Sequence, residues 1–203
     1  PVWVMAVFGA LLMWGGDYIG SGSADFRRDV NDGSDIQFSG LPVDPDNPAP
    51  DPDPKTVADL MSIGEARYRA VCIACHKAEG EGDPAQKAPP LRGSEWVVGP
   101  EASPARLARI VLYGLHQPIT VAGKQHDGVM PPQGVALKDY EIAAALTYVR
   151  NSFGFKADAD DANPSITPAL VKAAREKVGK RAESFTEKEL KAIPLDYTDL
   201  PKK

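Results

Sequence analysis

Cys72-Ile73-Ala74-Cys75-His76 is the stretch that decides the reading of this chain. Two thiols three residues apart stand about one helical turn apart, and a histidine follows at once. This C-x-x-C-H spacing suits two thioether bonds to the vinyl groups of one haem, with His76 as an axial ligand to its iron. These are the only two cysteines of the 203 residues, and they lie too close together to staple a long loop as a structural disulfide. A tetrahedral zinc site would need further ligands at close spacing, and a redox dithiol would sit in a strand-then-helix setting that the flanking sequence does not offer.

Downstream of the motif two features extend the site. The carbonyls of Pro89-Pro90-Leu91-Arg92-Gly93 are placed to accept a hydrogen bond from the second ring nitrogen of His76, which would fix the ring and tune its basicity. Pro89 is the foremost of these. A six-coordinate iron suited to electron transfer needs a second axial ligand, and Met130 is the only methionine after the motif. It lies in Gly128-Val129-Met130-Pro131-Pro132, where prolines stiffen the loop that would present a soft thioether. A methionine that only filled a core gap would be expected on a helical stripe instead. His116 and His126 are the rival distal ligands and would give a lower potential.

Outward from the motif the periodicity is helical. Val57, Leu60, Met61, Gly64 and Tyr68 recur at three- and four-residue spacing up to the cysteines. Ser103-Pro104 opens a second helix that Gly114 ends, and a third is expected from about Asp139 to Ser152. Helices are also expected over 168–178 and after Thr186, where Thr-Glu-Lys-Glu reads as a capping box. No β-period alternation of any length competes.

The residues now resemble a class I cytochrome c. Gly64 and Tyr68 stand eight and four before Cys72; after Cys72–His76 come Pro89-x-Leu91-x-Gly93, then Met130-Pro131, then Leu146-Thr147-Tyr148-Val149-Arg150. The match covers about residues 58–155. It implies an all-α domain whose first helix crosses its last near Tyr148, with covalent heme c held by Cys72, Cys75, His76 and Met130. Within that class, PPLRGSEWV, RIVLYGLHQPITVAGKQHDGVMPP and EIAAALTYVRNSFG look like bacterial haem domains attached to, or beside, respiratory complexes and dehydrogenases. One departure is Lys138, where such helices usually carry a serine or threonine cap, so a weaker helix start is expected there. Trp96 and Arg92 are weighed as donors to a haem propionate against plain core packing and a solvated charge.

The flanks suggest a setting. Pro1–Gly16 carries no charge, and Trp3, Trp14 and Tyr18 suit membrane interfaces, so residues 1–20 read as a transmembrane anchor; the rival reading is the apolar core of a signal peptide. Residues 21–57 are rich in Pro, Asp, Gly and Ser and read as an extended linker, or as a segment ordered along a larger assembly. Eight acidic and three basic residues in that linker account for the whole formal net charge of −5. Residues 58–155 are expected to form the haem domain, and 156–203 a polar helical tail that docks on it.

No basic face or basic-aromatic run appears, so nucleic acid is excluded as a partner. Haem of this kind is attached after export, so the resemblance places the domain on the periplasmic side of the bacterial inner membrane. The expected function is transfer of single electrons in a respiratory chain, from a quinol-oxidising complex toward a terminal oxidase, as a tethered shuttle or a fixed subunit of a multiprotein complex. It would then be an electron carrier and not an enzyme in its own right. The alternatives are the haem subunit of a periplasmic dehydrogenase, or a haem enzyme or sensor with an open distal site.

Overall fold

A computed structural model describes residues 1–22, 51–116, 118–158 and 165–196, and the chain divides into two compact units, Pro1–Asp51 and Pro52–Lys203. The linker expected over residues 21–57 falls for the most part outside the described residues.

In the first unit, α1 (Val2–Gly22) is a helix without a charged residue in its first or last turn. Trp3, Phe8, Leu11 and Trp14 along it are exposed. No helix among the described residues is long and apolar enough to cross a membrane, so the transmembrane span expected over residues 1–20 is not borne out.

The second unit begins with Thr56, whose hydroxyl accepts the Asp59 N–H at 3.1 Å while the Asp59 carboxylate accepts the Thr56 N–H at 3.1 Å. This reciprocal cap starts α2 (Val57–Arg67). The helix does not run on in register to the cysteines. Tyr68–Cys72 forms a π-turn, with the Ile73 N–H bonded five residues back to the Tyr68 carbonyl, before α3 (Ile73–His76) resumes the α-helical spiral. One extra residue per turn rotates the cysteine pair relative to α2, a device common at functional sites.

The remaining helices are α4 (Pro104–Tyr113), α5 (Asp139–Asn151), α6 (Pro168–Val178) and α7 (Glu187–Lys191). Between α4 and α5 a short antiparallel hairpin, β1 (Ile119–Val121) with β2 (Lys124–His126), pairs Ile119 with His126. Three residues per strand are too few for an alternating pattern to stand out, so the expectation of helices alone is corrected by this hairpin.

The main crossing is α2 on α5. Gly64 is the notch: a Cβ built there would lie 2.1 Å from the Ala144 carbonyl oxygen. Tyr68 follows one turn later, 1% exposed, its ring centroid 5.4 Å from that of Tyr148. The core runs from Leu60 through Leu107, Ile142 and Leu146 to Ile166 and Val171. The last two belong to the C-terminal segment, so its apolar face is buried in the same core as the helices around the cysteines.

Lys138 does precede α5 without a short polar cap, but the missing acceptor comes from within the helix. Glu141, at its third position, accepts the Lys138 N–H at 2.7 Å, and Arg67 of α2 pairs with the same carboxylate at 2.8 Å. The start of α5 is therefore satisfied and tied to α2 by one buried glutamate.

Candidate haem site

The π-turn and α3 put Cys72 about one turn before the adjacent Cys75 and His76, and the two cysteines form no disulfide. Burial, with a smaller contribution from Cys75, pushes the Cys72 thiol up to about 11, so it stays protonated at neutral pH. Cys75 donates to the Gln86 side-chain oxygen at 3.3 Å, and Gln86 in turn donates to the Ala74 carbonyl at 2.9 Å.

His76 closes α3. Its Nδ1 lies 3.1 Å from the Pro89 carbonyl oxygen, to which it donates in the tautomer that leaves Nε2 bare as a ligand. Burial holds its pKa below the ordinary 6.5, although the Pro89 carbonyl works the other way. The imidazole is thus neutral at neutral pH, the form that binds metal.

The loop that returns to Pro89 is tightly built. Lys77 takes a left-handed φ of 61°. Its carbonyl accepts the Tyr68 hydroxyl at 2.7 Å, fastening the turn after His76 to the helix crossing. Leu91 and Arg92 both donate to the Gly80 carbonyl, at 2.8 and 2.9 Å. Gly82 passes so close beneath the next strand of chain that a Cβ would stand 2.6 Å from the Ala88 oxygen.

Met130 comes from a separate loop. Its N–H donates to the Leu115 carbonyl at 2.9 Å and its carbonyl accepts the Leu115 N–H at 3.0 Å, so both of its backbone polar groups are held by one partner. The half-buried side chain packs in the apolar cluster of Trp96, Ile110 and Leu115. At Gly128 this loop abuts the other half of the site, because a Cβ there would lie 2.5 Å from the Lys87 oxygen, two residues before Pro89. Lys87 and Asp127 also pair across the seam at 3.6 Å.

Two sequence candidates are engaged elsewhere. The Trp96 indole donates to the Thr120 carbonyl at 2.9 Å, which holds β1, and Arg92 pairs with Glu79 at 3.1 Å. Sequence reasoning missed the role of Leu115, whose hold on Met130 is made by backbone atoms and whose buried side chain looks like any core leucine.

The donor set suits haem c. It comprises two free thiols one turn apart, a neutral imidazole with one nitrogen already hydrogen-bonded, and a thioether on a rigid loop against the same seam. Among the described residues no cluster of three or more His, Cys, Asp or Glu that would hold a bare metal ion is present.

In comparison with known families, residues 59–149 match the family model described as cytochrome c oxidase, cbb3-type, subunit III. That span begins in α2, contains the cysteine pair, His76, Pro89 and Met130, and ends in α5. This part of the chain is a c-type cytochrome domain, and it carries one covalently bound haem c.

Proposed function

We propose that the domain is a low-spin electron carrier with His76 and Met130 as its two axial ligands. It serves a respiratory chain by passing single electrons from a quinol-oxidising complex toward a terminal oxidase. The observation that carries this reading is the fixing of Met130 through both its N–H and its carbonyl by Leu115, within a loop that touches the segment leading to Pro89. Cytochrome c domains are electron carriers, and the match to an oxidase subunit family supports an oxidase as partner.

Haem supplies a one-electron couple, and the residues of the chain set the conditions under which it works. Cys72 and Cys75 would hold it by thioether bonds on the π-turn and α3. His76 would present Nε2, its ring orientation set by the Pro89 carbonyl. Met130 would present a neutral thioether, which favours the reduced state and a positive potential. With His76 and Met130 both holding the iron, the site would leave no place for a substrate, which is why the reading is transfer and not turnover.

We further propose that residues 1–20 hold the domain at the outer face of a bacterial inner membrane. The support is the uncharged run Pro1–Gly16 and the exposed Trp3, Phe8 and Trp14 of α1, together with the export that haem c attachment implies. Salt-resistant, detergent-dependent extraction from membranes is expected for the full chain, with release on deletion of residues 1–20; a chain that washes off in salt refutes the anchor.

The ligand assignment is tested by visible spectra of the purified holoprotein beside Met130→Ala. The ferric wild type should show the weak long-wavelength band of an iron–thioether bond, and the variant should lack it. A wild type without that band, or one whose ferrous form binds carbon monoxide readily, refutes Met130 as ligand.

A further inference from the structure

We propose that the C-terminal segment 165–193, which lies beyond the family match, is a brace that positions Met130, with Phe185 and Arg175 as its positioning residues. The inference rests on the reading of Met130 as the second axial ligand.

The central observation is a three-segment backbone ladder. Leu115 pairs antiparallel with Met130 on one edge and parallel with Phe185 on the other. On the second edge His116 donates to the Phe185 carbonyl at 2.8 Å, and Phe185 donates to the Gly114 carbonyl at 3.0 Å. The three segments meet at Gly114, which has φ 78°. A Cβ there would stand 2.4 Å from the Met130 oxygen and 2.9 Å from the Ser184 hydroxyl. The ligand segment and the tail therefore press on one residue that can carry no side chain.

An isolated two-residue bridge is a weak structure, and the strength of this one comes from what lies behind it. The Phe185 ring is 6% exposed and sits edge-on to Tyr113 at 5.9 Å, with the Arg181 guanidinium 4.1 Å from its centroid. The Tyr113 hydroxyl reaches back to the carbonyls of Arg175 and Gly179, both at 3.0 Å. Arg175 in turn grips the chain just past Met130, donating to the Gly134 carbonyl at 2.5 Å, the Leu137 carbonyl at 3.3 Å and the Asp139 carboxylate at 2.8 Å. Farther along, Arg106, 4% exposed on α4, donates to the carbonyls of Ile193 and Lys191 at 2.7 and 3.0 Å and locks the end of the segment down.

A thioether is an uncharged, weak ligand, so the fraction of time its bond to iron is closed depends on how rigidly its backbone is held. Here the holding contacts on the far edge of Leu115, and those just after Met130, come from the tail. Loosening the tail should therefore open the methionine bond before it unfolds the domain.

The test uses the full-length ferric holoprotein and the variants Phe185→Ala, Arg175→Ala, Arg175→Lys and Leu60→Ala. The last creates a core cavity outside the ladder. Three quantities are read: loss of the long-wavelength thioether band on alkaline titration, carbon monoxide binding by the ferrous form, and amide exchange at Leu115 and Met130. Phe185→Ala and Arg175→Ala should shift the band-loss equilibrium about tenfold toward the open form, the factor expected of a moderate coupling between neighbouring segments. They should also speed carbon monoxide binding and amide exchange, and Arg175→Lys should recover part of the effect. Leu60→Ala should lower the thermal midpoint yet keep the wild-type titration. If Phe185→Ala does not yield folded holoprotein, the Arg175 pair decides the matter alone. The brace is refuted if the tail variants titrate like wild type, or if Leu60→Ala shifts the band as much as they do. A wild type with no thioether band would overturn the Met130 assignment itself, and the brace with it.

Discussion

Gly64 illustrates how little room the helix crossing leaves. With 2.1 Å between a built Cβ and the Ala144 oxygen, Gly64→Ala must push α2 off α5, since the obstacle is backbone and cannot rotate away. A loss of about 3 kcal/mol is expected, at the upper end of overpacking costs, and denaturant unfolding of the holoprotein checks it. Tyr68 makes a smaller and more local statement. Tyr68→Phe keeps the ring contacts with Tyr148 and Phe153 and removes only the bond to the Lys77 carbonyl. The expected cost is about 1 to 2 kcal/mol, because the carbonyl of this left-handed residue is then left with only the longer bond from the Gly80 N–H, at 3.4 Å. Stability unchanged within error would show that water replaces the hydroxyl there.

Among the elements, the loop from Lys77 to Pro89 has its own pH response. The Lys77 ammonium, followed by the Ala85 N–H and the Gln86 amide, holds Asp83 at about 2, below its ordinary 3.8. A carboxylate depressed by folding contributes stability that is complete above 3.8 and disappears as pH falls toward 2. Urea unfolding measured across that window should show a fall that Asp83→Asn lacks in part; parallel slopes for the two proteins would rule the contribution out. The contrast between this loop and the rest explains what could be read in advance. Cys72, Cys75, His76 and Pro89 lie close in sequence, and the contact expected among them, from His76 Nδ1 to the Pro89 carbonyl, is present at 3.1 Å, so that much was legible from the motif and its neighbourhood. The π-turn at Tyr68–Cys72 left no trace, because it alters which carbonyl an N–H reaches and not which residue types are used. The hairpin escaped for want of length. Nothing in the sequence singles out Arg106 and Arg175, which bind main-chain carbonyls at 2.7 and 2.5 Å, because partners that distant in sequence cannot be inferred from periodicity.

For the whole molecule, the helical core around the cysteines and the C-terminal segment are one hydrophobic body, with Ile166, Val171 and Ala174 fully buried beside Leu60 and Ile142. Composition described that segment as polar because only one stripe of α6 is apolar, and an amphipathic helix averages to neutrality. A chain that ends before Ile166 would expose that stripe's seat on the core, and lower solubility and a lower thermal midpoint are expected of it; a truncated domain as stable as the full one would mean that the segment only decorates the surface. The parallel pairing of Phe185 with Leu115 also has a meaning in time. Residues emerge from the ribosome in order, so the thiols, His76 and Pro89 are all present while the outer strand of the ladder has not yet been made. The proximal half of the site can thus be complete in a nascent chain whose Leu115 strand, already paired with Met130, still has its other edge open, and its last tightening waits until Phe185 has been synthesised.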